Sequence, residues 1–232
     1  MLLVSFIIKE RENLMRAFLI RTVTSLALIA TALYLFVYAY PIVTVTAAIA
    51  ALLYILIFEY PKLFDYKKPL SWLIMLVYPI LPFALATYMC AFYNYRILIF
   101  YMAILTSCHD TGGYLAGSLF GKHKLAPNIS PKKSWEGFLG GYILVIIALL
   151  VIAYIQNATP SKFFIFSFAF AISILATIGD LFESYLKRKA DIKDTGKILP
   201  GHGGFLDRLD SYLAVIFLFY ILRDYLVHIF NI

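Results

Sequence analysis

Long apolar runs separated by short polar loops organise this chain. A helix needs about 20 apolar residues to cross a hydrocarbon core of about 30 Å. Seven stretches approach that length: 22–40, 42–58, 71–90, 97–108 or beyond, 138–155, 163–179, and 209–222 or beyond. The pattern predicts an all-α, polytopic membrane helix bundle of about seven transmembrane helices, read as one integral membrane domain, 1–232. Its N-terminal spans occupy 1–95, and 96–232 holds the candidate chemistry. Residues 5–21 mix charge with apolar residues at helical spacing, which suggests an interfacial helix leading into the first span. Pro79 and Pro82 predict a kink within 71–90.

Two of the runs are too short. The stretch 97–108 has 12 residues, about 18 Å of helix, so it is expected to continue through His109 and Asp110 towards Phe120. Gly113, Gly117 and Gly121 recur there every four residues, a small-residue face that lets helix backbones approach closely. The stretch 209–222 gives about 21 Å, so the last helix is expected to begin near Leu206 and to carry Asp207 and Asp210 at or below headgroup level.

Composition sharpens this picture. Of 232 residues, 62% are hydrophobic and 14% charged, and mean hydropathy is +0.85, which excludes an ordinary soluble domain. The net charge of +7 is spread over short loops between apolar runs, which points to membrane topology and anionic lipid rather than nucleic acid. With a cytoplasmic N-terminus, 17 of the 20 Lys and Arg fall on that side, leaving Arg96, Lys162 and Arg223 outside. Met1 to Ile8 is apolar before any basic residue and is followed by Glu10 and Glu12, so no removable secretory signal is expected. Cys90 and Cys108 form no CxxC or metal-ligand spacing and read as packing residues.

Against this apolar background, 179–211 concentrates charge of both signs. Asp207 and Asp210 are three apart, which on a helix puts their Cβ atoms about 5–6 Å apart on one face. Two carboxylates that close repel unless a proton or cation intervenes, and Mg²⁺ is usually held by one or two carboxylates plus substrate phosphates. Asp180 offers a third carboxylate, with Ser184 one turn later. The competing reading is a helix start that favours acids, neutralised by Arg208 or Lys187. Asp110 is an intramembrane carboxylate and hence a functional candidate. His202, Gly203 and Gly204 follow Pro200 and Gly201 in a turn, where glycines admit a phosphate and the N–H groups starting the next helix favour an anion. On its own, His202 reads as a turn or packing histidine. Ser130-Pro131-Lys132-Lys133-Ser134 offers two ammonium groups and two hydroxyls to a polyphosphate, and reads equally well as a positive-inside anchor. The Gly117–Gly121 spacing and the His after Lys122 exclude a Walker A loop.

The run Ser184-x-x-Lys187-Arg188-x4-Lys193-Asp194-x-Gly196-x2-Leu199-Pro200-x-His202-Gly203-Gly204-Phe205-x-Asp207-Arg208-Leu209-Asp210 resembles, at every fixed position, the signature of the phosphatidate cytidylyltransferases (CDP-diacylglycerol synthases). A second block is similar to the same family: Asp110-x3-Tyr114, Gly121-Lys122, Ser130-Pro131-Lys132-Lys133-Ser134-x-Glu136-Gly137 and Gly140-Gly141. It departs at Gly113, where the family has Ala. The resemblance implies a multi-pass membrane enzyme that condenses CTP with phosphatidate to CDP-diacylglycerol and diphosphate, its site facing the cytoplasm at the inner membrane if the source is bacterial. It implies Mg²⁺ held by Asp180, Asp207 and Asp210, with Ser184, Asp110 and His202 nearby, and leaves room for a second cation and a homodimer. Lys132, Lys133, Ser134, Lys187, Arg188, Gly203, Gly204 and Arg208 would meet the CTP phosphates or the lipid headgroup. Two rivals stand beside it: a CTP-dependent polyprenol kinase, which would release CDP, and a non-enzymatic lipid-binding protein or transporter, which leaves the glycine turn unexplained.

Overall fold

The structure, a computed structural model, describes residues 40–196, 198–200 and 203–232, with scattered helical positions between 15 and 34. The interfacial helix expected at 5–21 and the first expected span therefore lie largely outside the described residues, as do Lys197, Gly201 and His202.

Helix α1 runs Pro41–Leu63 and α2 runs Pro69–Ala91. Each starts on a proline, whose missing N–H is an orphan at a first turn anyway. Each also loosens into a π turn, Ile55–Glu59 in α1 and Leu76–Ile80 in α2. The kink expected in α2 falls at Tyr78, whose φ of −147° and ψ of 102° are extended, because Pro79 disfavours helical backbone in the residue before it.

Helix α3, Tyr93–Phe120, confirms the continuation through Asp110. A short antiparallel hairpin follows, β1 Lys124–Ala126 with β2 Ser130–Ser134, registered Lys124 to Ser134 and Ala126 to Ser130. This is the one departure from all-helical structure among the described elements. Ser134 then caps α4, Trp135–Ile155, its hydroxyl accepting from Gly137 N at 3.1 Å. Ser161 caps α5, Lys162–Lys189, in the same way through Phe164 N. Lys187, Arg188 and Lys189 suit the negative end of α5. A 3₁₀ turn, Leu206–Arg208, precedes α6, Asp210–Ile221, which bends by 76° into α7, Arg223–Ile229.

The chain is an integral membrane protein. Among the described residues α1, α2, α4 and α5 are long and apolar enough to cross a bilayer, and the bent pair α6–α7 makes a fifth if it counts as one span. The expected total of seven differs for two visible reasons. The first candidate lies largely outside the described residues, and α3, though as long as α5, is polar and glycine-rich through Ser107 to Ser118.

Glycines draw α3 and α4 together. A Cβ on Gly112 would lie 2.6 Å from Gly140 O, one on Gly137 2.8 Å from Gly113 O, and one on Gly140 would overlap Ala116 Cβ. Of the face expected at Gly113, Gly117 and Gly121, the first two do lie against Gly137, but the closest approach is at Gly112, one residue off that spacing, against Gly140 and Gly141 of α4. The largest apolar core joins α2 to α6 through residues such as Met89, Leu105, Leu149, Ile172 and Phe219. A smaller one, with Ile55, Tyr78, Leu186 and Leu206, lies beside the polar site.

Candidate active site

Helix α5 builds one wall. Asp180, Glu183, Ser184 and Lys187 share its inner face at spacings of three and four. Ser184 Oγ donates to Asp180 Oδ1 at 3.2 Å, and Lys187 Nζ lies 3.1 Å from Glu183 Oε1. Glu183 is fully buried and faces the Tyr78 hydroxyl of α2 at 3.5 Å. Asp180 has a second partner from the hairpin, as Lys133 Nζ reaches its Oδ2 at 2.6 Å. Arg188 Nε points at the Ile129 carbonyl in the same hairpin, at 3.5 Å.

The segment 195–210 builds the other wall. Asp207 Oδ1 takes Lys187 Nζ at 2.9 Å, while Oδ2 accepts from Thr195 N at 2.9 Å and Gly204 N at 2.8 Å. Burial pushes this carboxyl up. Its hydrogen bonds with Glu183, Lys187 and the Gly204 N–H outweigh that and hold it below the usual aspartate range.

Asp210 opens α6 and accepts from Ser211 N at 2.8 Å. The Ser211 hydroxyl reaches Asp110 Oδ1 of α3 at 3.4 Å. Asp110, Asp180 and Asp210 lie within electrostatic reach of one another, with Lys133 acting on the group. These three carboxylates come from three helices, and the backbone permits it because Gly179 packs directly on the Asp210 carbonyl.

Sequence spacing placed Asp207 and Asp210 on one helix face. In the structure a 3₁₀ turn and Leu209 separate them, and their carboxyls take different partners. Gly203 adopts φ +89°, open to glycine at little cost, and pairs with Leu199 through both backbone groups. The N–H groups expected to greet an anion are already engaged: Gly204 on Asp207, and Phe205 and Leu206 on Glu59, each at 2.7 Å. Ser134 is buried as a helix cap, Lys132 is exposed on β2, and Arg208 follows Asp207 in the 3₁₀ turn. His202 lies outside the described residues.

Sequence reasoning gave no role to Glu59, Glu183, Lys62 or Thr195. Glu59 had a signal. It is the first acid after Glu12 and directly follows an apolar run, and a carboxylate at the end of a span is costly unless used. The basic loops also touch one another: Lys62 Nζ donates to the Thr195 carbonyl at 2.7 Å, and the hairpin lysine reaches α5. Arg223, assigned to the opposite side, packs on Tyr220, 4.4 Å from its ring centre.

Carboxylates interleaved with ammonium groups could meet phosphates and the cation that accompanies them. Among the described residues no three or more acidic, histidine or cysteine side chains form a ready-made metal cage. Mg²⁺ does not require one when substrate phosphates complete its shell. Phosphatidate cytidylyltransferases match at 41% identity over 125 residues in Bacillus subtilis (strain 168), 43% over 131 in Haemophilus influenzae, and 47% over 117 in Mycobacterium bovis. Each match covers 50–53% of this chain and 37–46% of the relative, so the part of the chain that matches spans less than half the length of these proteins. The profile of the Cytidylyltransferase family, by contrast, runs through residues 4–226, taking in both walls of the site, and on that match the chain belongs to the cytidylyltransferase family.

Proposed function

We propose that this chain transfers a cytidylyl group from CTP to phosphatidate. A phosphate oxygen of the lipid attacks the α-phosphorus of CTP. The bond from that phosphorus to the bridging oxygen breaks, and diphosphate leaves with the electron pair. The products are CDP-diacylglycerol and diphosphate. The carrying observation is the convergence of Asp110, Asp180 and Asp210 from three helices beside Lys133, a site of both charges on helices of a membrane bundle.

Asp180, Asp207 and Asp210 are the carboxylates proposed to hold Mg²⁺. Asp210, whose Oδ1 takes a single backbone N–H, is disposed for it. Asp180 and Asp207 would share the ion with, or release, Lys133 and Lys187. When bound, Mg²⁺ would neutralise charge on the phosphate oxygens. The chain's own groups then position and screen: Lys133, Lys187, Lys132, Arg188 and Arg208 offer cations to the triphosphate and lipid headgroup, Gly203 and Gly204 shape the turn that carries Asp207, and Ser184 fixes Asp180. The contacts between the basic loops support a single, cytoplasmic face for the site.

The test is purified protein in phosphatidate-containing liposomes with CTP and Mg²⁺. Equal amounts of CDP-diacylglycerol and diphosphate are expected. CDP without diphosphate would make the chain a lipid kinase, and lipid transfer without CTP consumption would make it a carrier.

A further inference from the structure

The turn that presents Asp207 and Asp210 is held from the far half of the chain. Phe205, at its start, supplies no side-chain cap. The vacant role is taken by Glu59, at the end of the α1 π turn: its Oε1 accepts from Phe205 N and its Oε2 from Leu206 N, both at 2.7 Å, with the Thr195 hydroxyl on Oε2 at 3.3 Å. Glu59 is 0% exposed. One turn on, Lys62 Nζ holds the Thr195 carbonyl at 2.7 Å, and the Thr195 N–H holds Asp207. Two glycines make room for this contact. A Cβ at Gly196 would lie 2.6 Å from Glu59 Oε1, and one at Gly204 2.7 Å from it. A buried carboxylate is costly where apolar packing would serve, so these paired vacancies mark a contact the fold is built around.

We propose that Glu59 is a positioning residue for the transfer reaction, a clamp from the N-terminal spans that fixes Thr195, Phe205 and Leu206 and thereby sets Asp207 on Lys187 and Asp210 beside Asp180. It touches no substrate in this scheme and acts through the turn. The inference rests on the functional reading above for its kinetic consequence, and on geometry alone for its effect on the turn.

The experiment measures kcat, KM for CTP and phosphatidate, and hydrogen exchange of peptides covering 195–206, in wild type, Glu59→Gln, Gly196→Ala and Lys62→Met. An amide at 59 keeps one acceptor and turns an NH₂ group towards an N–H. Glu59→Gln and Gly196→Ala are expected to lower kcat about 100-fold, the scale of a 1 Å misplacement. Both KM values should stay within about twofold and exchange in 195–206 should rise about tenfold, with α3 and α4 unchanged. Lys62 is surface-exposed, so Lys62→Met tests the clamp even if the other two fail to fold; about a threefold loss of kcat with faster loop exchange is expected. Wild-type exchange and kcat in the variants that fold, or a rise in KM alone, overturns the proposal. If the wild-type protein makes no CDP-diacylglycerol, the functional reading fails and the exchange data alone decide the clamp.

Discussion

Lys187 and Asp207 meet at 2.9 Å across the site, joining α5 to the turn before α6. Their side chains are 13% and 4% exposed, and Lys187 also meets the buried Glu183. One ammonium therefore serves two acidic side chains. Lys187→Met leaves both without their cation and is expected to cost about 3–5 kcal/mol as well as turnover, read by thermal melting in detergent and by CDP-diacylglycerol formation. Asp207→Asn, which also loses its acceptor for the Thr195 or Gly204 N–H, should lower both quantities too.

Asp207 also sets an acid limit. Its carboxyl is held below the usual range by its hydrogen bonds despite burial. A depressed folded value means that the stabilisation is complete above the unfolded aspartate pKa of about 3.9, and is lost as pH falls through the lower folded value. Wild-type melting temperature should therefore drop steeply below about pH 4, and the Asp207→Asn variant should lack that component. Melting curves between pH 7 and pH 3 check this.

The Lys133–Asp180 pair behaves differently because it is part-exposed, at 24% and 30%. Such pairs contribute about 0–1 kcal/mol, so Lys133→Met should melt within that margin of wild type. Its kcat/KM for CTP should fall about 100- to 1,000-fold, the scale seen when one preorganised donor to developing charge is removed.

The glycine seam gives a paired test. Gly112→Ala drives a methyl to 2.6 Å from Gly140 O, whereas Gly113→Ala meets Gly137 O at an ordinary 3.6 Å. The first should destabilise by about 1–3 kcal/mol; the second should be silent in both melting and activity. Position 113 is also the one where the family pattern carries alanine.

Much of this was legible in the residues. Apolar run length located α1, α2, α4 and α5, and the shortness of 97–108 led to the continuation of α3 through Asp110. Asp110, Asp180, Ser184, Asp210, Lys133 and Lys187 do assemble, because helical spacing and loop charge are local signals. The misses are long-range or fine-grained. Nothing local tells Glu59 that its partners are Phe205 and Leu206, nearly 150 residues on. The hairpin at 124–134 is too short for alternation to reveal. The separation of Asp207 from Asp210 depends on a single 3₁₀ turn, which shares residue spacing with the start of an α-helix.

The glycines that bring α3 against α4 also bear on the path open to the proposed lipid substrate. Backbone meets backbone along that line, leaving a gap too narrow for a methylene chain, so this side of the bundle is a wall. Under the proposed function, acyl chains whose headgroup is bound for Asp110 would have to pass around it.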